Sequence, residues 1–482
     1  MQKVTPTMPP AAGGPATTTV TRDAVAFIAG STYEAIPAEA LAIARRCILD
    51  TVGLYVAGLE EPSTQIVVTM AKDDGGRPDA QLLGAGKTRV PAQVAARALG
   101  ISAHAHDFDD TQVSHDPAHV YGLLTHPTTA PLTAALTVCD MLGETDGKRF
   151  LTAFATGFEV SCKVSEWMKP DHYLRGHHSS GTVATFGAAA AAGWLMGLDE
   201  TKLRHALGIA ASMAAGVRCS FGTMSKPWHV GRACENGVLA ARMAERGFTG
   251  DPDALDGRWG FATVLAGGFS PEKLSQGFGR TWSIVDPGVS IKPYPSGILT
   301  HQAMDMVLKV VRDHDVAPDS VERIDFFAGD NILNPIRYPI AANALQAKFS
   351  MAALISMLVM FREAGLPQFR DEVVGAPDFQ AMQRRVTTAV DPEINALGFD
   401  LIRSRVTITL KDGTALTGEA DTRYRGGPQL PMTDADVEQK FRACTHAAPA
   451  IQDDLIAAVA ALPDNGALPA LLAGLARAPA VA

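Results

Sequence analysis

Apolar residues in the first half of the chain recur at spacings of three and four, the period of an amphipathic helix. The stretch "DAVAFIAGSTYEAIPAEALAIARRCILDTVGLYVAGL" holds two such runs, with Pro37 at the entry of the second. "THPTTAPLTAALTVCDMLG" predicts a helix after a polar start. "LDETKLRHALGIAASMAAG" predicts one with Asp199 as its N-cap and Gly216 at its end, and "WHVGRACENGVLAARMAERG" one that stops at Gly247. Ala and Gly fill so many helical positions that the helices must approach closely. Beyond "AGGFSPEKL" the pattern changes. "SIVDPGVSIKPYPS" is extended and broken by proline, and "VERIDFFAGD" alternates like a strand. "SRVTITLKDGTALTGEADT" predicts a hairpin turning at Asp412-Gly413. A helix, "SMAALISMLVMFREAG", lies between them. "MTDADVEQKFRAC" then opens a helical return, with Thr433 as N-cap. The expected fold is mainly α. A large all-helical domain spans 22–267 and 432–482, a smaller α+β lid domain (268–431) is inserted in it, and residues 1–21 form a disordered tail.

Composition narrows the class. The 482 residues are 47% hydrophobic and 19% charged, which suits a folded chain with more than one core. A formal net charge of −9 gives no general attraction for nucleic acid or an anionic membrane. No apolar run is long enough to span a bilayer, and the Ala-rich "VATFGAAAAAGWLMG" fits a buried helix better. The opening residues have neither the basic start nor the apolar core of a signal peptide. Six scattered cysteines without a CxxC pair suit a reducing compartment, and a cytoplasmic location is expected.

Four polar islands interrupt the apolar text. The densest surrounds "AHAHDFDDTQ": His104, His106, Asp107, Asp109, Asp110, His115, His119 and His126 all fall between 104 and 126. Three readings stay open for it: a metal centre of the His-Asp hydrolase kind, a set of helix caps, or an acid–base site. No HExxH or spaced Cys/His set accompanies it. "RGHHSSGTVATFG" supplies His177 and His178 ahead of a helix. "SFGTMSKPWHVGRA" supplies Ser225, Lys226 and His229, and "SIKPYPSGILTHQ" supplies Lys292 and His301. Converging on one cleft, these loops would give fixed cations, helix N-termini and a base. That is a pocket for a small polycarboxylate that loses a proton from carbon. Neither a GxGxxG fingerprint nor a GxSxG elbow occurs, so chemistry without a cofactor is expected.

"HAHDFDDT", "THPT", "GHHSSGTVATFGAAAAAG", "GTMSKPWHVGRA", "GFTG" and "SIKPYP", in that order, resemble the MmgE/PrpD family from about residue 22 to 445. The resemblance implies a homodimer, a helical domain with an α/β lid, and metal-free, cofactor-free chemistry on a small di- or tricarboxylate. It assigns catalytic roles to Asp107, His126 and His178 and substrate binding to Thr111, Lys226 and Lys292, with no metal ligand. Dehydration in the manner of a 2-methylcitrate dehydratase is the favoured reaction, ahead of epimerisation and of decarboxylation as of cis-aconitate. A metal-dependent hydrolase and a non-catalytic helical binding protein are the alternatives of another class. The chain departs from the pattern twice. The link "QVSHDPAHVYGLL" (112–124) is long and is expected to reshape the pocket. Where decarboxylase members use a lid tyrosine, "DNILNPIRYP" has Ile332 and Leu333, with Tyr338 displaced.

Overall fold

The computed structural model describes residues 19–112, 124–398 and 401–481. The expected tail up to residue 18 and most of the 112–124 link, His115 and His119 included, lie outside the described residues. The fold is mainly α-helical, with one four-stranded sheet and a two-residue ladder, Ala80–Gln81 with Arg89–Val90, inside the helical part.

The helical body is built around Ala184–Leu195, in which every residue except Trp194 is buried. Gly147–Trp167, Thr129–Leu142 and Ser225–Glu245 pack against it, and Ala92–His104 packs on the last of these. Small residues make this possible. A Cβ on Gly157 would stand 2.5 Å from the Gly187 carbonyl oxygen, and one on Gly237 would stand 2.3 Å from Ala188 Cβ. Larger side chains would push these helices apart and open voids in a close-packed interior. Helix Asp434–Cys444, the first of the C-terminal return, closes on Ala38–Ala57, where Gly53 admits the Phe441 ring. Helix starts are capped as the sequence predicts: Asp199 accepts from Lys202 N at 2.9 Å, and Thr433 and Asp436 form a reciprocal capping box.

The lid sheet has the order Val386–Val390, Val321–Ala328, Ser404–Leu410, Ala415–Glu419, the first pair parallel and the others antiparallel. Ile324 pairs with Val386 on one side and Ile408 on the other, so the alternating apolar positions meet on one face. Helices His301–Asp313 and Met351–Phe361 cover the sheet. Gly413, at φ 88°, makes the expected hairpin turn.

Three expectations need correction. The first helix begins at Val20, two residues inside the expected tail, because the buried Asp256 carboxylate accepts from both Val20 N and Thr21 N. The helix expected to run to Gly216 ends at Met213. The lid begins later than 268: Trp282, Ile284, Val289 and Ile291 pack in the core of the helical body, and the lid's own core starts at Tyr294. Glu159 fixes that intermediate segment, accepting from Gly279 N at 3.0 Å and Ser283 N at 2.7 Å.

Candidate active site

Helix Ala92–His104 runs into a tight turn that carries the polar cluster. Three lysines from distant parts of the chain bind the carbonyls of this turn. Lys348 donates to Ala105 O at 3.1 Å, Lys292 to Asp107 O at 2.9 Å, and Lys440 to Phe108 O at 2.8 Å. Lys440 also pairs with Asp50 at 2.7 Å. Just beyond, Thr111 and Ser290 exchange backbone hydrogen bonds at 2.9 and 2.8 Å, joining the turn to the segment that bears Lys292.

Asp107 lies in the left-handed region at φ 52°, which side chains other than glycine rarely adopt. The conformation sets Oδ1 between two ammonium groups, Lys292 Nζ at 2.8 Å and Lys226 Nζ at 3.0 Å. Burial opposes a charge on Asp107, but the two lysines outweigh it and hold the carboxyl well below the usual range. Its Oδ2 is buried and accepts no hydrogen bond. Burial, with Lys292 adding to it, draws the Lys226 ammonium below the usual lysine range against the pull of Asp107.

Asp109 sets the state of two histidines. His104 Nδ1–H donates to it at 2.8 Å and the Thr129 hydroxyl at 2.9 Å, while His126 Nδ1 lies in ion-pair range at 3.2 Å and also meets the Thr111 hydroxyl at 3.4 Å. Burial works against the charge of Asp109, and these imidazoles overcome it, so the carboxylate stays ionised. Burial in turn pushes His104 down to about 3 and lowers His126, against the attraction of Asp109. Both rings are neutral, and the arrangement suits a proton on Nδ1 with Nε2 unprotonated. His104 Nε2 accepts from Lys226 at 2.6 Å, whereas His126 Nε2 faces Asp107 Oδ1 at 3.6 Å. A proton that lands on His126 Nε2 therefore sits between two carboxylates, which is what a general base needs. Across the cavity, His178 and His229 share a hydrogen bond through their Nδ1 atoms at 3.1 Å. Burial, then Lys226, keeps His178 neutral in the absence of a bound anion.

Asp107, Thr111, His126, His178, Lys226 and Lys292 all line one cavity of about 50 Å³ between body and lid. All six residues expected at the site thus meet. Of the other island members, His104, Asp109 and His229 contact this group, whereas His106, Asp110, His301 and Ser225 do not. His106 turns away to Ala57 O at 3.2 Å, and Asp110 points into the body, where Thr128 N and its hydroxyl bond it. His301 is buried behind the lid segment with Nε2 on Ser296 O, and Ser225 is exposed. His104 and Asp109 belong to the expected cluster, with a helix cap as one reading of them; Lys348 and Lys440 were not expected. For Asp109 and His104 the five-residue spacing was a usable signal; for Lys440, 332 residues from its partner Phe108, there was none.

His104, Asp107, Asp109 and His126 each bring one potential ligand atom within 4.8 Å of the others. Apart from Asp107 Oδ2 and His126 Nε2, these atoms are already engaged. Asp107 Oδ1 takes two lysines, His104 uses both nitrogens, and Asp109 accepts from His104 and Thr129 with His126 Nδ1 beside it. A divalent ion among them would face two ammonium groups at hydrogen-bond range. The donor set suits lysine cations better than a metal.

A helical body and an α/β lid thus close on a cluster of histidines, lysines and aspartates. Residues 22–274 match the MmgE/PrpD N-terminal domain and 294–463 the MmgE/PrpD C-terminal domain. The chain belongs to the MmgE/PrpD family and is an enzyme of the lyase type. It is similar to the cis-aconitate decarboxylase of Homo sapiens, 29% identical over 83% of this chain and 82% of the relative. The Mus musculus cis-aconitate decarboxylase is 30% identical over 83% and 81%, and that of Aspergillus terreus strain NIH 2624 is 24% identical over 84% and 85%. None of these names is a dehydratase, so the expected dehydration draws no support from them. Among the described residues, no helix is long and apolar enough to cross a membrane.

Proposed function

We propose that the protein is a cofactor-independent lyase that removes a proton next to a carboxylate of a small 2-hydroxy di- or tricarboxylate and expels the hydroxyl as water. One observation carries this: His126 has Nδ1 3.2 Å from Asp109 and Nε2 3.6 Å from Asp107, at the wall of a cavity that also presents Lys226 and Lys292, an arrangement that suits a proton on Nδ1 and a free Nε2. His126 Nε2 takes the proton from carbon. The two ammonium groups hold the carboxylate on which charge develops, a stabilisation that grows toward the transition state. A substrate carboxylate near His178 favours its protonated form, and that ring gives its proton to the departing oxygen. Proton and hydroxide together leave as water, and the C–H pair becomes the new double bond.

Decarboxylation is the second reading, favoured by the relatives' names. Against it, the lid segment 332–338 brings Pro335 and Ile336 to the cavity, while the Tyr338 hydroxyl donates to Phe221 O at 3.0 Å. The test is nuclear magnetic resonance of a polycarboxylate panel in deuterated water. Deuterium should enter carbon adjacent to a carboxylate, with loss of water from the hydroxy acids. Carbon dioxide release from unsaturated acids, without any turnover of hydroxy acids, would select decarboxylation. A panel without exchange or turnover would overturn both.

A further inference from the structure

His126 and His178 both line the cavity, but their Nδ1 atoms meet unlike partners. His126 Nδ1 lies 3.2 Å from the Asp109 carboxylate, whereas His178 Nδ1 meets a second imidazole, His229 Nδ1, at 3.1 Å. The groups that bear electrostatically on His178 are Lys226, His104, His229 and His126, and the one that bears on His229 is Lys226. No carboxylate is among them.

The pair is held firmly. His229 lies one turn beyond Lys226 in helix Ser225–Glu245, behind the cavity wall. Two glycines seat it: a Cβ on Gly181 would stand 2.9 Å from His229 Cβ, and one on Gly216 would stand 3.3 Å from its Nδ1. Gly216 O also accepts from His178 N at 3.0 Å, so one backbone segment registers both rings. Phe221 closes edge-on against His178 at 5.1 Å.

Two Nδ1 atoms at this range share a single proton, so the tautomers of the two rings are linked. Burial, with Lys226 adding to it, pushes His229 down to about 4. Near neutral pH that ring is therefore uncharged, and one of its nitrogens is an acceptor. Charging His178 puts a proton on both of its nitrogens. Its Nδ1–H then needs an acceptor, and a hydrogen bond made to the charged form favours that form.

We propose that His229 is a positioning residue for the acid step: its Nδ1 accepts from His178 Nδ1–H, steadies the imidazolium and leaves the Nε2 proton for the departing oxygen. This rests on the acid–base reading proposed above, in which His178 is the acid. The Nε2–H bond breaks as an O–H bond of water forms. His178 returns to a neutral ring whose Nδ1–H still donates to His229.

The test uses the full chain with malate, citrate and 2-methylcitrate in deuterated water. It follows deuterium entry at the carbon next to a carboxylate and, separately, loss of water. H229F and H229A remove the acceptor, the second without adding bulk, while H229N keeps an amide oxygen near the place of Nδ1. Without the acceptor the His178 cation gives up its proton more readily, so the alkaline limb of kcat for water loss should move to lower pH by about one unit. Water loss at alkaline pH should fall about tenfold or more, while deuterium entry, the task of His126, and KM change less than about threefold. H229N should recover most of the loss. Equal loss of both rates in H229F or H229A, an unchanged pH profile, or a loss as deep in H229N would overturn the inference and leave the acid–base reading standing. Wild-type protein without deuterium entry or water loss on any of the three acids would overturn both.

Discussion

Asp107 and Asp109 are two positions apart and do different work. Asp107, turned into the left-handed region, gathers the lysine ammonium groups, and Asp109 sets the tautomer of His104 and faces Nδ1 of His126. D109N separates these roles. An amide can present its N–H₂ to Nδ1, which moves the imidazole proton to Nε2 and removes the base. The expected outcome is a kcat lower by roughly 10²–10⁴-fold with KM changed far less. Circular dichroism should remain that of the wild type. A kcat within threefold of wild type in a folded variant would contradict the assignment. The sequence exposed Asp107, His126, His178, Lys226 and Lys292 because charged and polar groups stand out in Ala-rich text. It left Asp109 ambiguous, since a carboxylate near a helix end reads equally well as a cap. Only the two imidazoles within hydrogen-bond range decide between cap and tautomer setter.

Elements whose signals are local were legible. The Asp412-Gly413 hairpin, the Asp199 and Thr433 caps and the strand at 321–328 need only neighbours in sequence. The strand Val386–Val390 was not seen. Four of its five residues are exposed, so it lacks the alternation that marks a half-buried strand. Its parallel partner Val321–Ala328 is reached only after a long helical crossover, which no local pattern announces. The lysine anchors of the active-site turn were hidden for the same reason: Lys348 and Lys440 reach it from the lid and from the C-terminal return. The lid boundary at 268 failed because chain irregularity was taken for a change of domain. The irregular segment up to Ile291 is pinned to the body by Glu159 and by the contact of Phe278 with Phe27 and Trp167.

At the scale of the molecule, burying so many histidines has a consequence for stability. Burial lowers His104 and His172 to about 3 and His229 to about 4, below the 6.5 of an unfolded chain. The folded form then binds fewer protons than the unfolded one, so the stability from these rings is present above pH 6.5. It is lost as pH falls toward 4 and 3. Burial raises Asp110 and Glu159 to about 7, with the opposite sign: their contribution is present below the unfolded values of 3.8 and 4.5 and lost as pH rises through 7. Two carboxyls against three rings leave the histidines dominant. Tm should fall by several degrees between pH 6.5 and 4.5, and H172Q, outside the catalytic cavity, should flatten the fall. A Tm that rises on acidification would contradict this accounting.

The account turns on lysine ammonium groups holding the charge that a metal would otherwise hold at His104, Asp107, Asp109 and His126. The most direct measurement is the deuterium-exchange rate of protein dialysed exhaustively against a chelator, with metal content determined on the same sample. The predicted result is an unchanged rate at far below one metal ion per chain. Loss of exchange in step with the metal, and its recovery on adding a divalent ion, would contradict the central claim.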